Sequence, residues 1–198
     1  MSDDDRARWN AKYRQGSHGS SAPSAVLVSL RDKLPRTGRA LDLAGGCGAD
    51  AVWLAEQGLD VTLADVSDVA LERAALLAES RDVSLQTVRA DLGESPPAGP
   101  WDLVTCSNFL DRTVWRALHM APGGVFVWIH PTVANLERHP KPSARFLLQP
   151  GEGLAIVGAL RDVAIVEHRE GWVQDRHLSV VVARFEVRPA PATNVMAE

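Results

Sequence analysis

The sequence predicts a single α/β domain built on a largely parallel sheet with helices on its faces. Short apolar runs recur along the chain, separated by stretches with helical spacing, and this alternation produces right-handed strand–helix–strand units. One such unit, ALDLAGGCGADAVWLAEQGLDVTLAD (40–65), joins a buried run to a glycine cluster, an amphipathic helix and a second run. Near the end, two apolar runs separated by a short bend predict an antiparallel hairpin.

The elements follow in order. Residues 3–14 suit a helix, with Asp3, Asp4 and Asp5 at its positive end and Lys12 and Arg14 near its negative end. GSHGSSAPS breaks it. AVLVSLRDKL (25–34) has helical spacing and stops before Pro35, while RALDLA (39–44) is a buried strand. Ala51, Leu54 and Ala55 fall at i, i+3 and i+4, and Gly58 stands where a left-handed cap would end their helix. DVTLAD (60–65) completes the crossover, and Ser67 caps a helix to about Glu79. VSLQTVRAD (83–91) makes a weaker strand and WDLVTCS (101–107) a stronger one. Asp111 is expected to start a helix reaching HMAPGG (119–124), ahead of a fifth strand, GVFVWIH (124–130). Leu154, Val157 and Leu160 mark the last helix, and DVAIVEHRE (162–170) and HLSVVVARFEV (177–187) form the hairpin. The Pro- and Ala-rich tail, 188–198, has little to bury and is expected to be disordered.

Composition narrows the function. With 198 residues and 45% hydrophobic content, the chain can bury one substantial core but not two ordinary enzymatic domains, so 1–187 reads as one domain that includes an N-terminal lid segment, 1–22. A net charge of −4 without a run of Lys and Arg argues against a nucleic-acid surface and leaves a small molecule as the expected partner. Cys47 and Cys106 have neither disulfide nor metal spacing, and packing is their expected role. No run of about 18 apolar residues occurs, and the charged start lacks a signal-peptide stretch. These features predict a soluble cytoplasmic protein that is a monomer or weak homodimer and binds no metal, membrane or nucleic acid.

The 40–67 span carries the chemistry. A strand that ends in glycines and feeds a helix lets backbone approach a ligand closely and aims N–H groups at it. Asp65 closes the next strand, 19 residues beyond Gly46, where a carboxylate can accept hydrogen bonds from both ribose hydroxyls of an adenine nucleoside. Dinucleotide enzymes share this pattern, and GCGADA satisfies G-x-G-x-x-A. Three features point elsewhere. Asp42, two residues before the loop, would repel a pyrophosphate but suits a cation. Asp91 ends the third strand, where it can take a hydrogen bond from an adenine amino group. The chain also stops after the hairpin, leaving no length for a second nucleotide-binding half.

LDLAGGCGADAVWLAEQGLDVTLADVSDVALERA, ADL, WDLVTCS and APGGVFVW resemble the successive motifs of class I S-adenosylmethionine-dependent methyltransferases, over about Trp9 to Val187. WNAKYRQG and RFLLQPGEG resemble the bacterial branch related to tellurite-resistance and thiopurine methyltransferases. The resemblance implies a Rossmann-like seven-stranded sheet in the order 3-2-1-4-5-7-6, with the last strand antiparallel, and S-adenosylmethionine as cofactor. It implies that Asp42 and the loop of Ala44, Gly45, Gly46 and Gly48 hold the methionine end. Asp65, with Val66 beside it, would hold the ribose, and Asp91 and Leu92 the adenine. Ser107 and Asn108 would lie near the sulfonium, and Trp9 and Tyr13 would form an aromatic lid. Ala44 departs from the pattern, which has a glycine there. Its methyl group is expected to require ordinary backbone dihedrals, with Gly45 supplying the loop's freedom.

Methyl transfer asks mainly for placement, because the sulfonium is already activated. CSNFLD stands after the fourth strand in place of the N-P-P-Y type motif of enzymes that methylate exocyclic base amines, so the resemblance implies a thiol, selenium, tellurium or other small nucleophile as acceptor. His130, at the end of the fifth strand, could act on it, or could simply bond loop backbone. The segment 130–149 also holds Arg138, His139, Lys141 and Arg145 against Glu137, is stiffened by Pro131, Pro140 and Pro142, and is anchored by Phe146, Leu147 and Leu148. It is expected to be the substrate gate, with Arg145 drawing in an anionic acceptor. Trp53, Trp115 and Trp128 are expected in the core. A non-catalytic module that binds the cofactor and regulates a partner would use the same residues, and a nicotinamide dehydrogenase fragment is the third alternative.

Overall fold

The computed structural model describes residues 3–16, 19–93 and 96–186, so the expected disordered tail lies outside the described residues. Seven strands form one sheet: β1 (Arg39–Leu43), β2 (Asp60–Asp65), β3 (Gln86–Arg89), β4 (Trp101–Ser107), β5 (Met120–Pro131), β6 (Val163–Val173) and β7 (Arg176–Phe185). Their order is β3-β2-β1-β4-β5-β7-β6. The first five are parallel, and β7 runs antiparallel to both β5 and β6. The helices are α1 (Asp3–Arg14), α2 (Ala25–Ser29), α3 (Ala49–Glu56), α4 (Asp68–Ser80) and α5 (Glu152–Gly158).

Local sequence sets several boundaries. Ser67 caps α4, its hydroxyl accepting the Ala70 N–H at 3.2 Å. Gly58, at φ +99, turns the chain out of α3. The 25–34 stretch divides into α2 and a single 3-10 turn, Arg31–Lys33, before Pro35.

Strand alternation sorts the interior into two layers. On one face Ala40, Leu63, Leu103, Val127, Ile129 and Val180 pack against Leu27, Ala51, Leu54 and Ala74 of the helices. On the other, Leu41, Leu43, Val104, Phe126, Trp128 and Val181 meet Val157 and Trp115. Asp42, Asp65, Thr105 and Ser107 continue the alternation of the first face, whereas His130 follows Trp128 onto the second.

One element differs from expectation. No α-helix lies between β4 and β5; Asp111 instead leads into a single 3-10 turn, Val114–Ala117, accepting the Thr113 and Val114 N–H groups at 2.7 and 3.0 Å. The chain has no room for more, because β5 begins at Met120, paired with Trp101, and absorbs the residues that would have continued the helix. The turn drives Trp115 into the aromatic layer, 4.8 Å from the Trp128 ring and 5.3 Å from Phe126. Its side chain therefore fills space that a helix would otherwise cover. Trp115→Ala should cost about 3–5 kcal/mol of stability, read as a lowered urea midpoint.

Candidate active site

The carboxyl ends of β1, β2 and β4 and the start of α3 gather two buried carboxylates, Asp42 and Asp65, and a half-buried one, Asp50. Asp42, in β1, is 1% exposed. Its Oδ1 accepts the Thr105 hydroxyl at 3.0 Å, while its Oδ2 makes no hydrogen bond of ordinary geometry. Burial first, and the charge of Asp50 second, push its pKa well above the usual carboxylate range, against the opposing Thr105 hydrogen bond. Asp50, in the first turn of α3, accepts the Ser24 N–H at 2.7 Å and the Ser107 hydroxyl at 3.2 Å, and burial raises its pKa too. Asp65 accepts the Gly46 N–H at 3.0 Å and the Ser67 N–H at 2.8 Å. Burial raises its pKa, and these amides hold the rise down. None of the three carboxylates is in an ion pair among the described residues.

Between Asp42 and Asp65 runs the loop 44–48. Gly45 does not supply its left-handed freedom; a Cβ there would collide with Asp42 Oδ2, so its glycine serves close approach. The left-handed turn falls on Ala44 itself, at φ +53, and on Gly46, at φ +55. This corrects the expectation of ordinary dihedrals at Ala44, whose Cβ there costs about 1–2 kcal/mol. The loop amides also do not all point outward. The Gly46 N–H is held by Asp65 and the Gly48 N–H by the Gly45 carbonyl at 3.0 Å, which makes the loop a braced cradle. Asn108, just after β4, also has left-handed backbone, at φ +62, and its N–H donates to the Ile129 carbonyl.

α1 covers the cradle. The Tyr13 hydroxyl stands 2.6 Å from where a Gly46 Cβ would be, and the Trp9 and Tyr13 ring centroids are 5.9 Å apart. Burial pushes the Tyr13 pKa upward, with Asp65 and Cys47 adding to the effect. Asn10 holds the helix in place: its Oδ1 accepts the Ser67 hydroxyl at 2.6 Å and its Nδ2 donates to Asp68. Arg6 pairs with Asp68 at 2.6 Å.

Of the residues expected around an adenine, Leu92 is fully buried and Val66 nearly so, and Asp91 accepts the Gly93 N–H at 3.0 Å. Ser107 is tied to Asp50 as described. The sequence pattern gave no signal for Asp50 or Asn10, because their partners lie far along the chain.

A cleft of about 580 Å³ opens beside this cluster. Ser24, which bonds Asp50, forms one wall; Pro131, Asn135, His139 and Lys141 form a second, and Arg176 and Leu178 of β7 a third. The segment expected to be a gate is thus one of its walls, folded as two 3-10 turns (Val133–Glu137 and Ala144–Phe146) and anchored by buried Leu147 and Leu148. Phe146 does not share in the anchor; it is 41% exposed. Neither expected acceptor-side residue lines the cleft. Arg145 is exposed and lies over the Phe146 ring at 4.6 Å. His130 faces the other layer, its Nε2 hydrogen-bonded to the Phe146 carbonyl at 3.0 Å and its Nδ1 buried without a partner. Burial lowers its pKa to about 4. Among the described residues no helix is long and apolar enough to cross a membrane, and no group of three or more His, Cys, Asp or Glu could hold a metal.

Comparison with known proteins fits this layout. Residues 40–121 match the family model described as a methyltransferase domain. No curated protein matches the sequence significantly. Among solved structures, magnesium protoporphyrin IX methyltransferase (ChlM) from Synechocystis PCC 6803, with bound SAH, superposes with a TM-score of 0.70 at 15% identity, over 91% of this chain and 98% of that one. TehB from Haemophilus influenzae gives 0.69 at 18% identity, over 88% of this chain and 66% of that one. A protein solved in work on the conversion of a disulfide bond into a thioacetal group during echinomycin biosynthesis gives 0.67 at 20% identity, over 91% and 93%.

Two outcomes follow for the residues just placed. Ala44→Gly should raise stability by about 0.5–1 kcal/mol by relieving the left-handed strain, net of the entropy glycine adds to the unfolded chain, measured by chemical denaturation. His130 has a folded pKa of about 4 against 6.5 when unfolded, so the unfolded chain takes up its proton first as pH falls and stability is lost across that window. Between those pH values the wild type should lose up to about 3 kcal/mol relative to His130→Gln, compared through urea midpoints at several pH values.

Residues 40–121 thus resemble a methyltransferase domain, and the sheet that contains them shares the fold of solved methyltransferases.

Proposed function

We propose that the protein binds S-adenosylmethionine over the 44–48 loop and transfers its methyl group to a small nucleophile held in the adjoining cleft. The observation that carries this reading is the set of three carboxylates, buried Asp42 and Asp65 and half-buried Asp50, grouped around a glycine cradle without an ion pair among the described residues. A buried carboxylate without a counter-charge raises its pKa and destabilises its own site, and a cationic ligand relieves both. The unpartnered Oδ2 of Asp42 and the close approach allowed at Gly45 fit the methionine end of such a ligand.

Asp65 suits the ribose by lone-pair arithmetic. An ionised carboxylate offers about four acceptor sites, and the Gly46 and Ser67 amides occupy two of them. Two remain for a pair of hydroxyls. Trp9 and Tyr13 close the cradle from above, with Val66, Asp91 and Leu92 on the adenine side and Ser107 and Asn108 toward the cleft. When bound, S-adenosylmethionine supplies a methyl group already activated by its positive sulfur. The chain's part is to orient the donor, exclude water with α1, and present the acceptor in line.

A soft, small acceptor of the thiol or chalcogen kind, as in the tellurite-resistance and thiopurine branch, is the finer form of this proposal. The aromatic lid at Trp9 and Tyr13 and the CSNFLD segment after β4 support it. His130, neutral at physiological pH and turned to the other face, supports the wall of the acceptor site and is not its general base.

S-adenosylhomocysteine titrated calorimetrically into the wild type should bind, and Asp65→Ala should bind it about 1.5–3 kcal/mol more weakly while still unfolding cooperatively. Equal affinity in the folded variant would remove Asp65 from the ribose site. Release of S-adenosylhomocysteine from S-adenosylmethionine during incubation with a panel of thiols, selenols and chalcogen oxyanions would establish turnover.

A further inference from the structure

The cleft beside the carboxylate cluster is not electrically uniform. Its Ser24 side adjoins Asp50, whereas its outer end, formed by the 131–142 segment and the tip of the β6–β7 hairpin, carries His139, Lys141 and Arg176 together with Asp175. Asp175 is already engaged: its Oδ2 lies 3.2 Å from His139 Nε2 and its Oδ1 lies 3.9 Å from Arg138. Arg138 is further held over the Trp172 ring at 3.7 Å. Lys141 and Arg176, by contrast, make no hydrogen bond or ion pair among the described residues.

We propose that this outer end binds an anionic group of the methyl acceptor, a carboxylate, with Lys141 and Arg176 as the two cations that hold it. The inference rests on the methyltransferase reading above and names the class of acceptor that the same site takes.

Three features support it. First, the polarity runs in one direction: three carboxylates at the donor end and two unpartnered cations at the far end, so an acceptor with one nucleophilic and one anionic terminus is oriented by charge alone. Second, the cations sit on separate elements, the segment after β5 and the start of β7, and converge only because β7 pairs with β5 through Leu178 and Pro131. A solvated basic loop would not need the second element. Third, Arg176 is crowded enough to lower its pKa while its side chain stays open to the cleft, and the openness decides what an anion can reach. A guanidinium in that position gains most from a planar two-oxygen partner, which favours a carboxylate. Arg145, turned over Phe146, has no part in this.

Paired probes that differ only in charge test the proposal without knowledge of the natural acceptor. A set of small carboxylic acids and their matching primary carboxamides, from benzoate and benzamide to 3-mercaptopropionate and its amide, is measured by ligand-observed NMR with and without saturating S-adenosylhomocysteine. Carboxylates should bind more tightly than their amides to the wild type. The preference should fall about fivefold in Lys141→Met and in Arg176→Gln, and further in the double variant, with S-adenosylhomocysteine affinity and melting temperature unchanged. Arg145→Ala should leave the preference intact. Equal binding of acids and amides by the wild type overturns the proposal, as does a preference that survives in the double variant. Failure of S-adenosylhomocysteine to bind would instead count against the cofactor reading, and the acid-over-amide comparison without it would still decide the anion site.

Discussion

The Asp65 carboxylate ties together three segments that are distant in sequence. One oxygen takes the Gly46 amide of the loop after β1, and the other takes the Ser67 amide at the cap of α4. Ser67 passes the connection on, its hydroxyl capping α4 and reaching Asn10 of α1. The glycine cradle, the start of α4 and the covering helix are therefore set by one side chain at the end of β2. Charge-assisted hydrogen bonds to backbone amides are strong where water is scarce, and Asp65 is only 6% exposed. Any ligand that engages Asp65 also acts on the lid, because the lid hangs from the same network.

This bracing carries a cost that the function explains. Asp42 and Asp50 repel each other away from water, and Ala44 holds left-handed backbone that its side chain disfavours. A chain under selection for stability alone would place Thr or Asn at position 42 and glycine at 44. Left-handed non-glycine residues also occur at Asp82, Asp162 and Gln174, but only at Ala44 does one adjoin the carboxylates. The opposite face is filled by the rings of Trp115, Trp128 and Phe126, and its own conflicts are smaller: the Trp115 Nε1, the His130 Nδ1 and the Ser179 hydroxyl are buried there without hydrogen-bond partners. His130 on that face is neutral and bonded to backbone through its other ring nitrogen.

The strands were legible because the signals are local, whereas their order came from the family resemblance. Apolar runs, the glycines at 45, 46 and 48, the Ser67 cap and the Asp65 spacing each lie within one β–α–β unit, where sequence distance and spatial distance agree. The helix expected after Asp111 failed for a non-local reason, since the pairing of Met120 with Trp101 claims its residues for β5. Ala44 misled for a different one. Residue type argues for ordinary dihedrals, but the position of Asp42 forces glycine at 45 for space and leaves the turn to its neighbour. Asp50 and Asn10 were missed because Ser24, Ser107 and Ser67, their partners, stand 26, 57 and 57 residues away. Basic character in the 130–149 segment was visible, but not which cations would face inward, since this depends on the fold of two 3-10 turns and on the register of β7 against β5.

The two ends of the site are thus built by different kinds of contact, and they are free to change at different rates. The donor end depends on backbone geometry and on carboxylates embedded in strands, so a substitution there disturbs the sheet, the loop and the lid together. The acceptor end depends on side chains from a returning loop and a hairpin tip, neither of which supports the parallel sheet. Lys141 can be exchanged without touching a strand, and Arg176 lies at the very start of one. Chemistry that needs only alignment of an activated methyl group tolerates this division, because no acceptor-side residue has to take part in the bond change. A scaffold of this kind can hold its donor fixed while its acceptor varies with a few exposed charges.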